Sequence, residues 1–450
     1  MFTLIQNEHH TNRGLRLRRF GLFEERKMNK YIYLVTMCIK MLIFSGSLKA
    51  NGILLDEIVI FLNTTHSRVA WAMSFQNGLA YMIAPFTIPL LDVYSSRSLC
   101  IVGGVLSGLG YIYCGLRLQS IWHLFIGYGI SGIGLGISVL PSVMLLLKFF
   151  GPNEFPIAMS VFVMFENVGI SILPAVLQIL RNQYGLQNSL IVFGAVVWNT
   201  VVMGVAAKEP HIATNYVADE AVSDAEGEDT PSSKKNQEAE NMFQKVRLEM
   251  SSFLKHKHAL IIIVIESVSL YLFVSWALFL VPVGKTFGFS DFEAVSLSSF
   301  GGIGGLIGRV VATLMFYFQK MNAVTSSFVP LLATGVTLLL TVMFRSYYLV
   351  SGVVFICGMS QAVVSSGMYG LISTMVCPRH YKAALAAECF LGGFAMQLSG
   401  LISGYIRDLT GSGIYVFVLN GAISVSLTPV AILWAFNSNP NLNCEIPYRQ

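Results

Sequence analysis

Apolar residues in this chain gather into long runs, separated by short polar breaks. Twelve such runs fall at about 31–55, 69–91, 99–116, 121–147, 156–180, 189–207, 259–283, 295–318, 324–344, 348–376, 383–406 and 414–436. Each approaches or exceeds the roughly 20 residues that a helix needs to cross a hydrocarbon core of about 30 Å. In lipid every backbone amide must be satisfied internally, so each run predicts a helix. Between the sixth and seventh runs lies Lys208 to His258, which holds the segment ADEAVSDAEGEDTPSSKKNQEAE and has too little apolar content to pack a core. Its last part, MFQKVRLEMSSFLKHKH, predicts a short surface helix. The expected architecture is an all-α membrane protein of twelve transmembrane helices in two six-helix bundles. An arm spans 1–30, the first bundle 31–207, a linker 208–258, the second bundle 259–436 and a tail 437–450.

Composition and charge sharpen this picture. Only 12% of the 450 residues are charged while 54% are hydrophobic, and mean hydropathy is +0.65; a soluble domain carries roughly 25% charge. With both termini on the cytoplasmic side, the predicted cytoplasmic segments hold 20 Lys and Arg and the external loops 6, with Lys40, Lys49 and Arg309 left inside spans. That is the positive-inside asymmetry. The net charge of +5 therefore marks topology and points to no nucleic-acid partner. The first 30 residues are polar and basic, so no cleaved leader is expected. The 7 cysteines include no CxxC pair and read as small buried hydrophobes; no metal or cofactor is expected. No nucleophile–base pair or phosphate loop suggests an enzyme.

The chemistry lies in the few ionisable groups inside the apolar runs. Arg309 stands in the eighth, VSLSSFGGIGGLIGRVVATLMFYF, where a central cation costs on the order of 2.5–3.5 kcal/mol on insertion scales. Two roles offset such a cost. Arg309 faces an aqueous path and holds an anionic or polar solute, or it is a structural arginine paired with a carboxylate between helices. The glycines before it, Gly305 among them, let another backbone or a substrate come close. Lys40 and Lys49, nine residues apart, lie on opposite faces of the first helix, so at most one points squarely into a central cavity. Either could instead snorkel toward the interface. Glu166, Glu266 and Glu388 are candidate proton carriers or counter-ions to Arg309. Aromatic residues such as Tyr81, Tyr271 and Trp276 could line a cavity. Gly132 with Gly136, and Gly400 with Gly404, make GxxxG spacings whose first reading is helix packing, on which gating also depends. Asn63-Thr64-Thr65 is an N-glycosylation acceptor pattern in the first predicted external loop.

These residues, taken in order, resemble the monocarboxylate transporter family of the major facilitator superfamily. Lys49 followed by GILLDE resembles the family's first-helix ending. Asp92-Val-Tyr-Ser-Ser-Arg97, followed by Gly103-Gly-Val-Leu-Ser-Gly-Leu-Gly110, looks like the loop and third-helix signature. Gly134-Leu-Gly136, Pro141 and Lys148-Phe-Phe150 follow in order, and Gly404-Tyr-Ile-Arg-Asp408-Leu-Thr-Gly411 is similar to the turn between the last two helices. The likeness runs from about residue 30 to 436, the linker excepted. It implies a carrier in which Lys49 and Arg309 bind the carboxylate of a small organic anion or an amphipathic, amino-acid-like or aromatic solute. Asp92, Arg97, Gly132, Gly136, Gly305, Gly404 and Asp408 would serve gating and packing. It implies a plasma-membrane setting, and a single-span immunoglobulin-type glycoprotein becomes a candidate chaperone. One departure matters most. Where proton-coupled members have an aspartate four residues before the arginine, this chain has Gly305, which leaves Arg309 without a local counter-ion and favours facilitated diffusion. Proton symport is the alternative should Glu166, Glu266 or Glu388 take the aspartate's role. The rival class is a non-transporting sensor or scaffold that binds partners through the linker.

Overall fold

The computed structural model describes residues 30–206, 257–318, 328–375 and 378–437; the basic arm, most of the linker and the tail lie outside them. The described residues are helical, with no strand among them. The helices are α1 (Lys30–Phe61), α2 (His66–Met82), α3 (Ala84–Val93), α4 (Ser96–Arg117), α5 (Ile121–Ala206), α6 (Lys257–Thr286), α7 (Asp291–Tyr317), α8 (Val329–Met343), α9 (Tyr347–Met375), α10 (Pro378–Thr410) and α11 (Ile414–Asn437).

Among the described residues, eight stretches are long and apolar enough to cross a membrane, against twelve expected spans. Two features of the helices and the bounds of the described residues account for the difference. The second expected span breaks at Ile83 into α2 and α3, because Pro85 donates no amide hydrogen and its ring crowds the carbonyl four residues back. The ninth and twelfth, α8 and α11, adjoin residues outside the described set, and their described apolar stretches are Val329–Met343 and Ile414–Val430. The fifth and sixth share one helical run, Ile157–Ala206, in which Gly185 takes φ +75°. Packing shows that this run folds back. Gly110 of α4 meets Gly127 and Ser131 of α5, while Gly115 meets Gln187 and Ile191, and Gly104 meets Thr200. Both outer passes of α5 thus run antiparallel to α4, and the middle pass must return between them.

Local signals set other boundaries. Ser290 and Glu293 form a capping box at the start of α7: the Glu293 carboxylate accepts from the Ser290 amide at 2.9 Å, and the Ser290 hydroxyl accepts from the Glu293 amide at 3.3 Å. Gly288 and Gly411 adopt φ +87° and +70° in the turns before α7 and α11, conformations that favour glycine.

The two halves of the chain meet along two seams. In the first, α2 packs on α10. The Ser74 hydroxyl donates to the Gln397 carbonyl at 3.1 Å, and a side chain at Gly400 or Gly404 would run into Ala70, Ser74 or Ser67. In the second, the middle pass of α5 packs on α7, and Ser299 donates to the Ser171 carbonyl at 2.7 Å. Gly132 and Gly136 lie against Gln76 and Ala80 of α2, so the GxxxG spacings serve close helix packing.

Candidate functional site

One face of the molecule, here termed distal, carries the turns at 62–65, 287–290 and 411–413. It is closed by ion pairs between the halves. Arg407 of α10 reaches Asp56 of α1 at 2.7 Å. Asp408 accepts from the backbone amides of His66 and Ser67 at 2.8 and 2.9 Å and meets the His66 ring at 3.0 Å, while the other ring nitrogen stands 3.5 Å from Asp56. A second cluster joins Arg181 to Glu57 at 2.8 Å and to Asp291 at 3.6 Å, with Lys285 also on Asp291 at 2.8 Å. Asp408, one of the expected gating and packing residues, thus joins the two halves at this face. His66 and Asp56 were not expected there; the one signal was the placing of opposite charges at span ends. Asn63 is exposed beside this gate at φ 46°.

Lys49 lies below the gate. Just after it, α1 tightens into a 3-10 turn, Asn51–Leu54, a form often found at hinges within longer helices. Buried polar groups hold this turn: Tyr111 donates to the Ser47 carbonyl at 2.9 Å, Asn51 to Gln76 at 2.6 Å and Gln76 to Ser131 at 2.7 Å. On the other side Gly52 lies against the backbone of Ala277 and Leu278, so α1 and α6 cross closely between the halves. At this crossing the Lys49 ammonium stands 3.7 Å from the centre of the Trp276 ring. Lys49 is 3% exposed and its Nζ has no hydrogen-bond partner. It does not snorkel. A desolvated cation–π contact is worth about 2 kcal/mol, well short of what a buried ammonium loses in leaving water.

Arg309 sits two turns further toward the opposite, proximal face. The Trp276 ring edge packs on Gly301, and Arg309 lies about 12 Å along α7 from that glycine at 1.5 Å per residue. Its guanidinium donates to Glu166 at 2.5 Å and to Ser366 at 3.2 Å, and the residue is 8% exposed. Of the three acids offered as counter-ions the partner is Glu166, which comes from α5, across the second seam, as an arginine without a local counter-ion requires. Gly305 explains why none comes from α7 itself, since a side chain there would collide with the Asn167 side-chain oxygen. The glycines before Arg309 admit neighbouring helices: Gly304 meets Phe355, Gly308 meets Met359, and Gly302 meets Ser171.

Lys40 belongs elsewhere. It donates to the Ser138 carbonyl and the Ser142 hydroxyl, both at 2.8 Å, within its own half. Glu266 and Glu388 are buried, each with an unpartnered oxygen. Arg97 opens α4 half-buried, its Nε unpartnered; Asp92 falls in α3, with its side chain outside the described set. Among the described residues no group of three metal-ligating side chains occurs.

Two halves joined through helix seams, closed at one face over buried cations, are the anatomy of a rocking carrier. The Major Facilitator Superfamily profile matches residues 36–388, and the chain belongs to that superfamily: it is a multi-pass membrane transporter, not an enzyme. Monocarboxylate transporter 2 of Meriones unguiculatus is 27% identical over 403 residues, covering 87% of this chain and 80% of its own length. The Homo sapiens protein of the same name is 26% identical over 399 residues, with coverage of 87% and 81%. Among solved structures, a peptide transporter POT in complex with sulfate aligns with TM-score 0.69 at 14% identity, covering 89% of this chain and 94% of its own. A bacterial homolog of the human lysosomal transporter Spinster, inward-facing and unoccupied, aligns at 0.65 with 13% identity, covering 91% and 96%. At such identities the structural likeness speaks for the fold alone.

Proposed function

We propose that this protein carries small organic anions, monocarboxylates or related amino-acid-like and aromatic solutes, by alternating access. The observation that carries the reading is the buried Lys49 ammonium, which lacks any anion and is held at the crossing of the two halves against Trp276. A lysine in that state gains most from a ligand carboxylate, since a charge-assisted hydrogen bond is roughly twice as strong as a neutral one. The names of the similar monocarboxylate transporters support the same solute class.

Arg309 then has a part in both states of the cycle. Its pair with Glu166 bridges the halves and neutralises the guanidinium when no solute is bound. A solute carboxylate entering from the proximal side competes with Glu166 for Arg309 and meets Lys49 beyond it. Separation of the distal ion pairs would then open the other face. With Gly305 in place of an acid, α7 offers no proton acceptor beside Arg309, and transport is facilitative unless a carboxyl elsewhere in the cluster titrates. Uptake of a radiolabelled monocarboxylate panel into proteoliposomes tests the reading. Saturable uptake should be abolished by Lys49→Ala and by Arg309→Ala; uptake unchanged in either variant removes that residue from the site.

A further inference from the structure

The distal gate sets a histidine between two acids that come from opposite halves. His66 opens α2, in the first half. Its Nδ1 stands 3.0 Å from Asp408 of α10, in the second half, and its Nε2 stands 3.5 Å from Asp56 of α1. An ionised carboxylate only accepts hydrogen bonds, and a neutral imidazole carries a hydrogen on one nitrogen alone. The neutral ring therefore serves one acid while its other nitrogen turns a lone pair on the second. The imidazolium presents a hydrogen to both. Asp56 shows what the neutral form leaves out. Its Oδ1 is buried without a hydrogen bond, although the Arg407 guanidinium stands 2.7 Å away as an ion pair, and it is this same oxygen that His66 Nε2 approaches.

Asp408 does more than meet the ring. Thr65, the residue before α2, makes no side-chain cap, and the amides of His66 and Ser67 donate instead to Asp408 at 2.8 and 2.9 Å. The first turn of α2 is thus capped from the other half of the chain. A helix N-terminus disfavours a cation; the Asp408 carboxylate reverses that preference only while the halves are together. Charge balance points the same way. Asp56 and Asp408 share one guanidinium, Arg407, so a neutral His66 leaves the group with an excess negative charge that an imidazolium cancels. The other charged groups nearby are engaged or turned away: Glu57 holds Arg181, Asp291 holds Lys285, and Arg68, on α2 itself, is exposed.

We propose that His66 is a proton-operated latch on the distal face: as imidazolium it ties Asp56 to Asp408 and holds that face closed, and loss of the proton lets the halves part there. The inference rests on the alternating-access reading and adds its regulation. The step is one proton from the distal solution bonding to a ring nitrogen, with no other bond made or broken but hydrogen bonds. Its sign follows from where the partners sit. Asp56 stays with His66 in either state, because α1 and α2 share a half, whereas Asp408 is at hand only when the halves meet. The closed state is the one in which an imidazolium finds both acids, so acid favours it. Histidine changes charge between about pH 5 and 8, and the latch tightens as pH falls through that range.

The test uses the full chain in nanodiscs and reads amide hydrogen exchange at His66 and Ser67, at about pH 5.5 and about pH 7.5, each corrected for intrinsic exchange at that pH. Wild type should be protected at least about tenfold more at the lower pH, the low end of what a charge-assisted hydrogen bond supplies. His66→Gln should show the weaker protection at both, and His66→Lys, charged at both, should be protected at both. Equal protection in wild type at the two pH values, or a pH response that persists in His66→Gln or His66→Lys, overturns the latch. A transport arm separates the latch from the carrier reading. Counterflow of radiolabelled pyruvate in proteoliposomes, with equal pH on both sides, should slow at the lower pH in wild type and not in His66→Gln. Wild-type counterflow that ignores pH overturns the regulation. Absence of pyruvate counterflow at either pH contradicts the carrier reading for this solute instead, and the exchange result still decides the latch.

Discussion

Lys40 and Lys49 occupy the same helix, nine residues apart, and each is 3% exposed, yet they are held in opposite ways. The Lys40 ammonium donates to a carbonyl and a hydroxyl of α5, within its own half. That arrangement stays the same however the halves move. The Lys49 ammonium has only the face of Trp276, which belongs to the other half. Burial depth does not separate a structural cation from a working one. What separates them is whether they have hydrogen-bond partners, and which half supplies their contacts. Arg309 lies between the two cases: its guanidinium holds Glu166 and Ser366 while its Nε has no partner, and the Glu166 pair crosses a seam that rocking must open.

The largest effect should come from Lys49. Its replacement by Ala removes the unpaired charge; we expect a loss of roughly 3 kcal/mol of solute binding, about a hundredfold in pyruvate uptake at low concentration. Next is the Arg309–Glu166 pair. Breaking one side of a buried pair costs about 3–5 kcal/mol because the other charge is stranded. Arg309→Gln and Glu166→Gln should each lower the unfolding temperature in detergent, and the double variant should recover most of the loss. A double variant as unstable as the sum of the singles would mean that the contact is incidental. The distal gate follows. Asp408→Asn weakens charge-assisted bonds to two amides, each worth about 1.5–3 kcal/mol, so hydrogen exchange at His66 and Ser67 should speed up by at least about tenfold. Lys40→Met should do least. The Ser138 carbonyl keeps its bond from the Ser142 hydroxyl, and pyruvate uptake should match wild type. A Lys40→Met chain that fails to transport would erase the contrast between the two lysines.

Much of the fold was legible because lipid imposes one rule on every span: apolar length with internally bonded backbone. The break at Ile83 was foreshadowed by Pro85, but whether that proline bends or divides the helix depends on what packs around it. The candidate site was legible as a set of residue types and no further. Arg309 was conspicuous as an intramembrane charge, whereas its partner Glu166 stands 143 residues earlier in the chain, and no local pattern joins them. Gly305 suggested a missing counter-ion; Asn167 fills the space instead. Whether Lys49 snorkels or stays buried depends on Trp276, 227 residues away by the same numbering. His66 carried no signal of its own, since its role comes from Asp56 and Asp408 converging on it from opposite halves.

The central claim is that the unpartnered ammonium of α1 is where the solute anion binds. Equilibrium binding of radiolabelled pyruvate to the purified full chain, compared among wild type, Lys49→Gln and Lys40→Gln, tests it most directly. The account predicts that Lys40→Gln binds with the wild-type Kd and that Lys49→Gln shows no saturable binding. Equal loss in both variants, or wild-type binding in Lys49→Gln, would contradict it.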